Sequence, residues 1–306
     1  SHGHSDHARG GHGKVLAHPD TLAIMACRYG ANFAKSTQAL EYGETIEING
    51  VTVWLAPAGH ILGSAQVVVE HKGLRMTFTG DYKRRFDPTC ASFEPVENTH
   101  VFISEATFAL PVFRHPDTGH EINRLLQSVK DFPERAHCIG AYSLGKAQRV
   151  IRHLRLAGYD EPIFIHGSLE KLCAHYQSVG IDLGTLVLAT SDDTSRAARE
   201  AFRGKIIIAP PGAFEGKWAQ RFPDPILGFA SGWMSIKQRA KQRGVELPLV
   251  ISDHADWDEL TDTVREVNPE ELWVTYGRED ALVRWAELEG RRARPLRMVA
   301  YDDEAG

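Results

Sequence analysis

The sequence predicts an α/β protein built from two units, the second inserted within the first. Three observations carry that expectation. The first hundred residues read as strand hairpins joined by polar loops; from about Pro116 short apolar strands alternate with amphipathic helices; late in the chain a further strand and helix pattern completes the opening unit. The division assigns residues 1–115 and 247–306 to one domain and 116–246 to the insertion.

Each element has its own signal. Gly10, Gly11 and Gly13 make a loop, and His18-Pro19-Asp20 starts a helix over 21–29 with Leu22, Ile24 and Met25 on one face. Residues 45–55 form a hairpin around Asn49-Gly50, the strongest short turn signal, and 67–70 with 74–79 form another around Lys72-Gly73. A buried strand follows at 101–103. The insertion reads as helix 121–130, strand 136–141, helix 146–156, strand 162–165 and helix 169–179, then strands at 206–209 and 226–230 and a basic helix at 236–243. The opening unit then resumes with a strand at 249–252, helix 257–267, strand 271–275 and helix 279–288.

A chain of 306 residues with 42% hydrophobic content can bury a full core. Its net charge of −5 excludes an indiscriminately basic nucleic-acid coat, although local basic clusters can still grip phosphates. Cys27, Cys90, Cys138 and Cys173 are scattered, which suggests neither a zinc ribbon nor a disulfide framework, so a cytoplasmic setting is expected. No apolar run reaches membrane-spanning length, and no membrane partner is expected.

The chemistry concentrates at the start. His2-Gly3-His4-Ser5-Asp6-His7 places three imidazoles and a carboxylate within six positions, and such groups crowd together at a cost unless a cation offsets it. His2 and His4 suit one ion, while Asp6 and His7 suit a second beside it, the layout of a two-metal hydrolase. The plainer reading is a solvated histidine-rich tail. His60, in the glycine-flanked loop Gly59-His60-Ile61-Leu62-Gly63, is the natural third imidazole for the first ion, and Asp81, emerging after Gly80 at a strand end, a bridging carboxylate. Glu105 and His254 each follow an apolar strand, and together they offer a carboxylate that orients an imidazole for work on a leaving oxygen or a phosphate.

Tyr142-Ser143-Leu144-Gly145-Lys146 lies between a strand and a helix, so Ser143, Gly145 and Lys146 form a candidate phosphate cradle; a plain βα turn is the equal alternative. Lys83, Arg84 and Arg85, and Lys237, Arg239, Lys241 and Arg243 on the basic helix, are either solvated faces or a track for a nucleic-acid backbone.

The order H-x-H-x-D-H, His60, Asp81 resembles the metallo-β-lactamase superfamily, and Glu105 with Ser252-Asp253-His254 resembles its β-CASP nucleic-acid-processing branch. More narrowly, Gly80-Asp81-Tyr82-Lys83-Arg84, Ser104-Glu105-Ala106-Thr107-Phe108, Tyr142-Ser143-Leu144-Gly145-Lys146 and Ser231-Gly232-Trp233-Met234 are similar to runs in bacterial ligase-associated DNA exonucleases. The resemblance spans essentially the whole chain.

It implies a four-layer αββα metallo-β-lactamase fold with an inserted α/β β-CASP domain. It also implies zinc, as one or two ions with manganese as an alternative, and hydrolysis of DNA phosphodiesters by a metal-activated water. The substrate would be single strands or strand ends in repair, in the pathway of an ATP-dependent DNA ligase. His2, His4 and His60 would hold one ion, Asp6 and His7 the other, with Asp81 bridging; Asp6, Asp81, Glu105 and His254 would be catalytic, and Ser143 and Lys146 would take a terminal phosphate. Relatives carry strands ahead of the motif, so an upstream segment is expected. Many carry a histidine ligand where Tyr276 stands, and a phenol binds zinc only when ionised, at a reference pKa of about 10. The alternatives are an RNA-processing β-CASP nuclease, a glyoxalase II-like hydrolase and a non-catalytic nucleic-acid-binding relative.

Overall fold

A computed structural model describes residues 1–189 and 196–298. The chain divides into two compact units, one running Ser1–Arg114 and resuming at Asp253, the other His115–Ser252.

The first unit is α/β. Its seven-stranded sheet runs in the order Arg292–Pro295, Glu271–Gly277, Val101–Ala106, Leu74–Phe78, Ala65–His71, Val51–Pro57, Thr45–Ile48. Pairing is antiparallel from Thr45–Ile48 through Leu74–Phe78 and parallel beyond. Both expected hairpins form, because Asn49 and Gly50 (φ 51° and 79°) and Lys72 and Gly73 (φ 50° and 80°) take the left-handed backbone that a two-residue turn needs to match strand twist.

Helix Trp257–Val267 starts on a capping box in which Asp256 accepts from the Glu259 N–H and Glu259 accepts from the Asp256 N–H, and it stops at left-handed Asn268. Its buried Leu260 and Val264 join Phe102, Leu272, Val274 and Leu282 in the core beneath the sheet. A separate parallel pair, His12–Ala17 with Ala34–Ala39, is linked by helix Pro19–Tyr29. Sequence reading took the start of this segment for a glycine loop.

The second unit holds an all-parallel six-stranded sheet, in the order Leu186–Leu188, Ile163–Ile165, Ile206–Ala209, His137–Gly140, Ile226–Ala230, Leu247–Leu249. Its central strands, His137–Gly140 and Ile206–Ala209, are buried at every position, as expected when both sheet faces are covered. Connecting helices include Thr118–Asp131, Lys146–Leu156 and Glu170–Ser178.

One boundary needs correction. The sequence returned the chain to its first unit at 247, with a strand at 249–252; instead Leu247–Leu249 pairs with Ile226–Ala230 as the edge of the inserted sheet, and the return falls at Asp253. A three-residue edge strand carries too little pattern to announce which sheet it joins.

Candidate metal centre

Loops of the first unit build the site. Residues 1–7 form a turn closed by Ala8 N–H donating to His4 O (2.7 Å), and the turn is tied to the sheet by Ala65 N–H donating to Ser1 O (2.9 Å). Arg28 Nη1 secures it further through Gly3 O at 2.6 Å. Two glycines permit the close approach. A Cβ on Gly80 (φ 58°) would lie 2.6 Å from the Ser1 side chain, and one on Gly59 (φ 74°) 2.2 Å from Lys83 O. Asp81 and His60 therefore reach the turn that carries the other histidines.

The donors converge. His4 Nδ1 lies 3.0 Å from His2 Nε2 and 3.1 Å from His60 Nε2, and Asp81 Oδ2 lies 3.5 Å from His2 Nε2, 3.5 Å from His7 Nε2 and 3.7 Å from His60 Nε2. His2, His60 and Asp81 are buried. The outward ring nitrogens have partners of their own: Ser1 Oγ for His2 Nδ1 (3.2 Å) and His7 Nδ1 (3.0 Å), and Asp253 O, accepting from His60 Nδ1 at 2.8 Å. The Asp253 carbonyl can only accept, so it fixes the His60 tautomer with the Nε2 lone pair facing inward, while Ser1 Oγ orients the rings of His2 and His7.

This donor set fits a metal ion. Ligand nitrogens at about 2.0 Å from one tetrahedral zinc sit about 3.3 Å apart, close to the separations here. Burial first, then the neighbouring histidines, hold His2 well below the ordinary imidazole range; burial and His254 do the same to His60. Both are thus neutral and able to coordinate. Burial and then the charge of Glu105 push Asp81 up to about 7, the sign of a carboxylate short of positive charge. His2, His4, His60 and Asp81 form one possible ligand group and His2, Asp6 and His7 another. Asp6 is largely exposed, with Oδ2 3.9 Å from His7 Nε2.

Glu105 and His254 meet as the sequence expected. Glu105 is buried and accepts from the Tyr82 N–H (2.6 Å) and from His254 Nδ1 (2.9 Å). Burial opposes charge on His254, but Glu105, with Asp253 and Asp81, outweighs it and raises the imidazole to about 9. Sequence reading assigned no role to Asp253, although it lies inside the Ser252-Asp253-His254 run. Its carbonyl orients His60, and its carboxylate lies 3.9 Å from His254 Nε2.

Tyr276 also arrives at the site, with its ring centroid 5.4 Å from that of His7. Its strand bulges between Thr275 and Gly277, opposite Glu105 and Ala106, and Tyr276 takes φ 56°. A left-handed backbone on a non-glycine residue costs about 1–3 kcal/mol.

The expected cationic contacts resolve differently. Arg84 pairs with Glu266 at 2.5 Å and lies over the Phe93 ring, Arg85 pairs with buried Asp256 at 2.6 Å, and Lys83 is itself buried. These groups brace the first unit and do not form an open phosphate track. In the second unit Lys146 is buried and Nζ donates to Ile251 O at 2.7 Å, while the Gly145 N–H donates to Gln148 Oε1 at 2.8 Å and the Lys146 N–H to Leu144 O. Ser143 Oγ faces Ser168 Oγ at 3.2 Å. In the turn where a cradle was expected from Ser143, Gly145 and Lys146, the Gly145 N–H and both Lys146 donors therefore have acceptors within the unit. On the basic segment, Arg239 and Arg243 cover the rings of Trp233 and Phe229.

Known proteins resemble this chain unevenly. No family model matches it. It is 30% identical to a "Probable DNA ligase" of Opitutus terrae, across 99% of this chain and 30% of that one. It is 31% identical to "Endoribonuclease YSH1" of Saccharomyces cerevisiae, across 44% of this chain and 19% of that one. It is 28% identical to "Cleavage and polyadenylation specificity factor subunit 3-I" of Arabidopsis thaliana, across 46% and 20%. The chain spans less than a third of the length of each. Among solved structures, a protein of unknown function from Enterococcus faecalis V583 shares the fold, with a TM-score of 0.60 at 13% identity over 92% of this chain and 75% of that one. No helix among the described residues is long and apolar enough to cross a membrane.

Proposed function

We propose that the chain is a metal-dependent nuclease of the metallo-β-lactamase superfamily and its β-CASP branch, hydrolysing phosphodiesters in DNA. The fold would be the four-layer αββα arrangement with an inserted α/β domain. The observation that carries this reading is the convergence of inward-facing imidazole nitrogens from His2, His4, His7 and His60 around Asp81.

His2, His4, His60 and Asp81 would hold the first cation, zinc or manganese, and His7 with Asp6 and Asp81 would offer a second position. A cation bound there makes a water nucleophilic near neutral pH and polarises a phosphoryl oxygen. The protein's own groups do the rest. His254, raised to about 9, carries its proton at neutral pH and can donate it to a departing oxygen, and Glu105 fixes the ring by accepting from Nδ1. Asp253 O keeps the His60 Nε2 lone pair aimed inward.

The relative named as a DNA ligase matches nearly the whole chain, which supports DNA strand ends as substrate and a ligase acting on the same ends. The endoribonuclease relatives support a second reading, an RNA-processing nuclease. End-labelled DNA and RNA of one sequence, incubated with zinc or manganese, separate the two, because the 2′-hydroxyl is the difference to be tolerated. The expected result is metal-dependent shortening of DNA that is lost in Asp81→Ala. Intact DNA and RNA with every metal would refute both readings.

A further inference from the structure

We propose that Tyr276 is a nucleobase platform, its ring stacking on the base of the nucleotide whose phosphate occupies the histidine cluster. The inference rests on the nuclease reading and assigns a specific contact within it.

Three features point to it. The backbone turns the ring toward the cluster: the strand pairs regularly through Thr275 opposite Glu105, then bulges, and Gly277 (φ 100°) follows where a Cβ would stand 2.2 Å from Ala106 O. Tyr276 therefore leaves the alternation that would have placed it on a sheet face. Its own φ of 56° is a conformation that asparagine or glycine adopts more readily, so an aromatic there is held at the expense of local backbone preference. The ring itself is 54% exposed while lying tilted at 40° beside His7. An aromatic serving the core would bury that surface. A ring half in water beside a cluster of candidate cation ligands has the chemistry of a stacking surface, which accepts any base because every base has a π-face.

Stacking and coordination make opposite demands on the side chain. A platform needs the ring and not the hydroxyl; a phenolate ligand needs the hydroxyl. The test measures binding and steady-state cleavage of two single strands by the zinc-loaded protein, one with every base present and one abasic at the nucleotide being cleaved. Tyr276→Phe, Tyr276→Ala and Tyr276→Asn are compared, the last tolerating the left-handed backbone so that a folded variant is in hand.

The platform predicts that Tyr276→Phe behaves as the original protein, while Tyr276→Ala and Tyr276→Asn raise Kd and KM for the full strand about tenfold and leave the abasic strand unchanged. Equal losses on both strands, or a loss in Tyr276→Phe matching that in Tyr276→Ala, would overturn it. If the unaltered protein cleaves full and abasic strands with the same KM, only the platform falls. If it binds and cleaves neither, the nuclease reading falls and the platform with it.

Discussion

Two polar clusters occupy loops of this protein, and they solve the problem of concentrated polar groups in opposite ways. In the second unit, the turn around Ser143 to Lys146 directs donors inward: the Gly145 and Lys146 N–H groups find Gln148 and Leu144, and the ammonium is buried on Ile251 O. In the first unit the outer ring nitrogens of His2, His7 and His60 pair with Ser1 Oγ and Asp253 O, which turns their Nε2 atoms inward beside a carboxylate pushed up to about 7. A buried cation on a carbonyl is finished structure. Imidazole nitrogens drawn to about 3 Å from one another beside a carboxylate are a donor set that a cation fits.

The sharpest way to break this comparison is to remove the metal. Chelation should abolish cleavage, by a thousandfold or more on the order expected for metal-activated hydrolysis, and lower the melting temperature, with both restored by zinc. Activity persisting unchanged in chelator would mean that the cluster is finished structure too.

Next is Lys146→Met, which leaves Ile251 O without its buried donor. We expect a loss of about 1–3 kcal/mol in stability, seen as a lower denaturation midpoint, and unchanged KM for strands with and without a terminal phosphate. Ser143→Ala, at an exposed hydroxyl, should stay within about 0.5 kcal/mol. A KM increase confined to phosphorylated ends in either variant would restore the cradle that the sequence suggested.

The smallest effect concerns pH. Burial depresses His137 in the second unit, as it does His2 and His60 in the first. For a histidine depressed in the folded state, the unfolded chain binds its proton first, so stability present above about pH 6.5 is lost as pH falls toward the folded pKa. In His137→Leu the decline in denaturation midpoint between pH 7 and pH 5 should be shallower. Metal affinity should also fall with acidity, since coordination needs neutral imidazoles, but the depressed His2 and His60 should retain zinc further below pH 6.5 than free imidazole does. An identical pH slope in His137→Leu would remove that residue from the account.

The sequence exposed the site better than it exposed the connections. His2, His4, His60 and Asp81 were legible because clustered imidazoles and a carboxylate after Gly80 have few structural explanations, and Glu105 and His254 because each ends an apolar run. The hairpins at Asn49-Gly50 and Lys72-Gly73 announced themselves through local turn chemistry. The His12–Ala17 strand was hidden because it opens on a glycine-containing stretch and its partner is more than twenty residues away. Edge strand Arg292–Pro295 carries arginines and a proline instead of apolar alternation. The partners of Arg84 and Lys146, Glu266 and Ile251, were not legible because they lie more than a hundred residues along the chain. The turn of Tyr276 toward His7 depends on a bulge against a neighbouring strand.

The most direct test is the metal content of the purified, zinc-loaded protein and of its Asp81→Ala and His60→Ala variants after removal of free ion, read by elemental analysis. The account predicts at least one zinc per chain in the original protein and a loss of most of it in both variants, with their folds preserved by circular dichroism. A content well below one per chain in the original protein, or one that neither substitution alters, would contradict it.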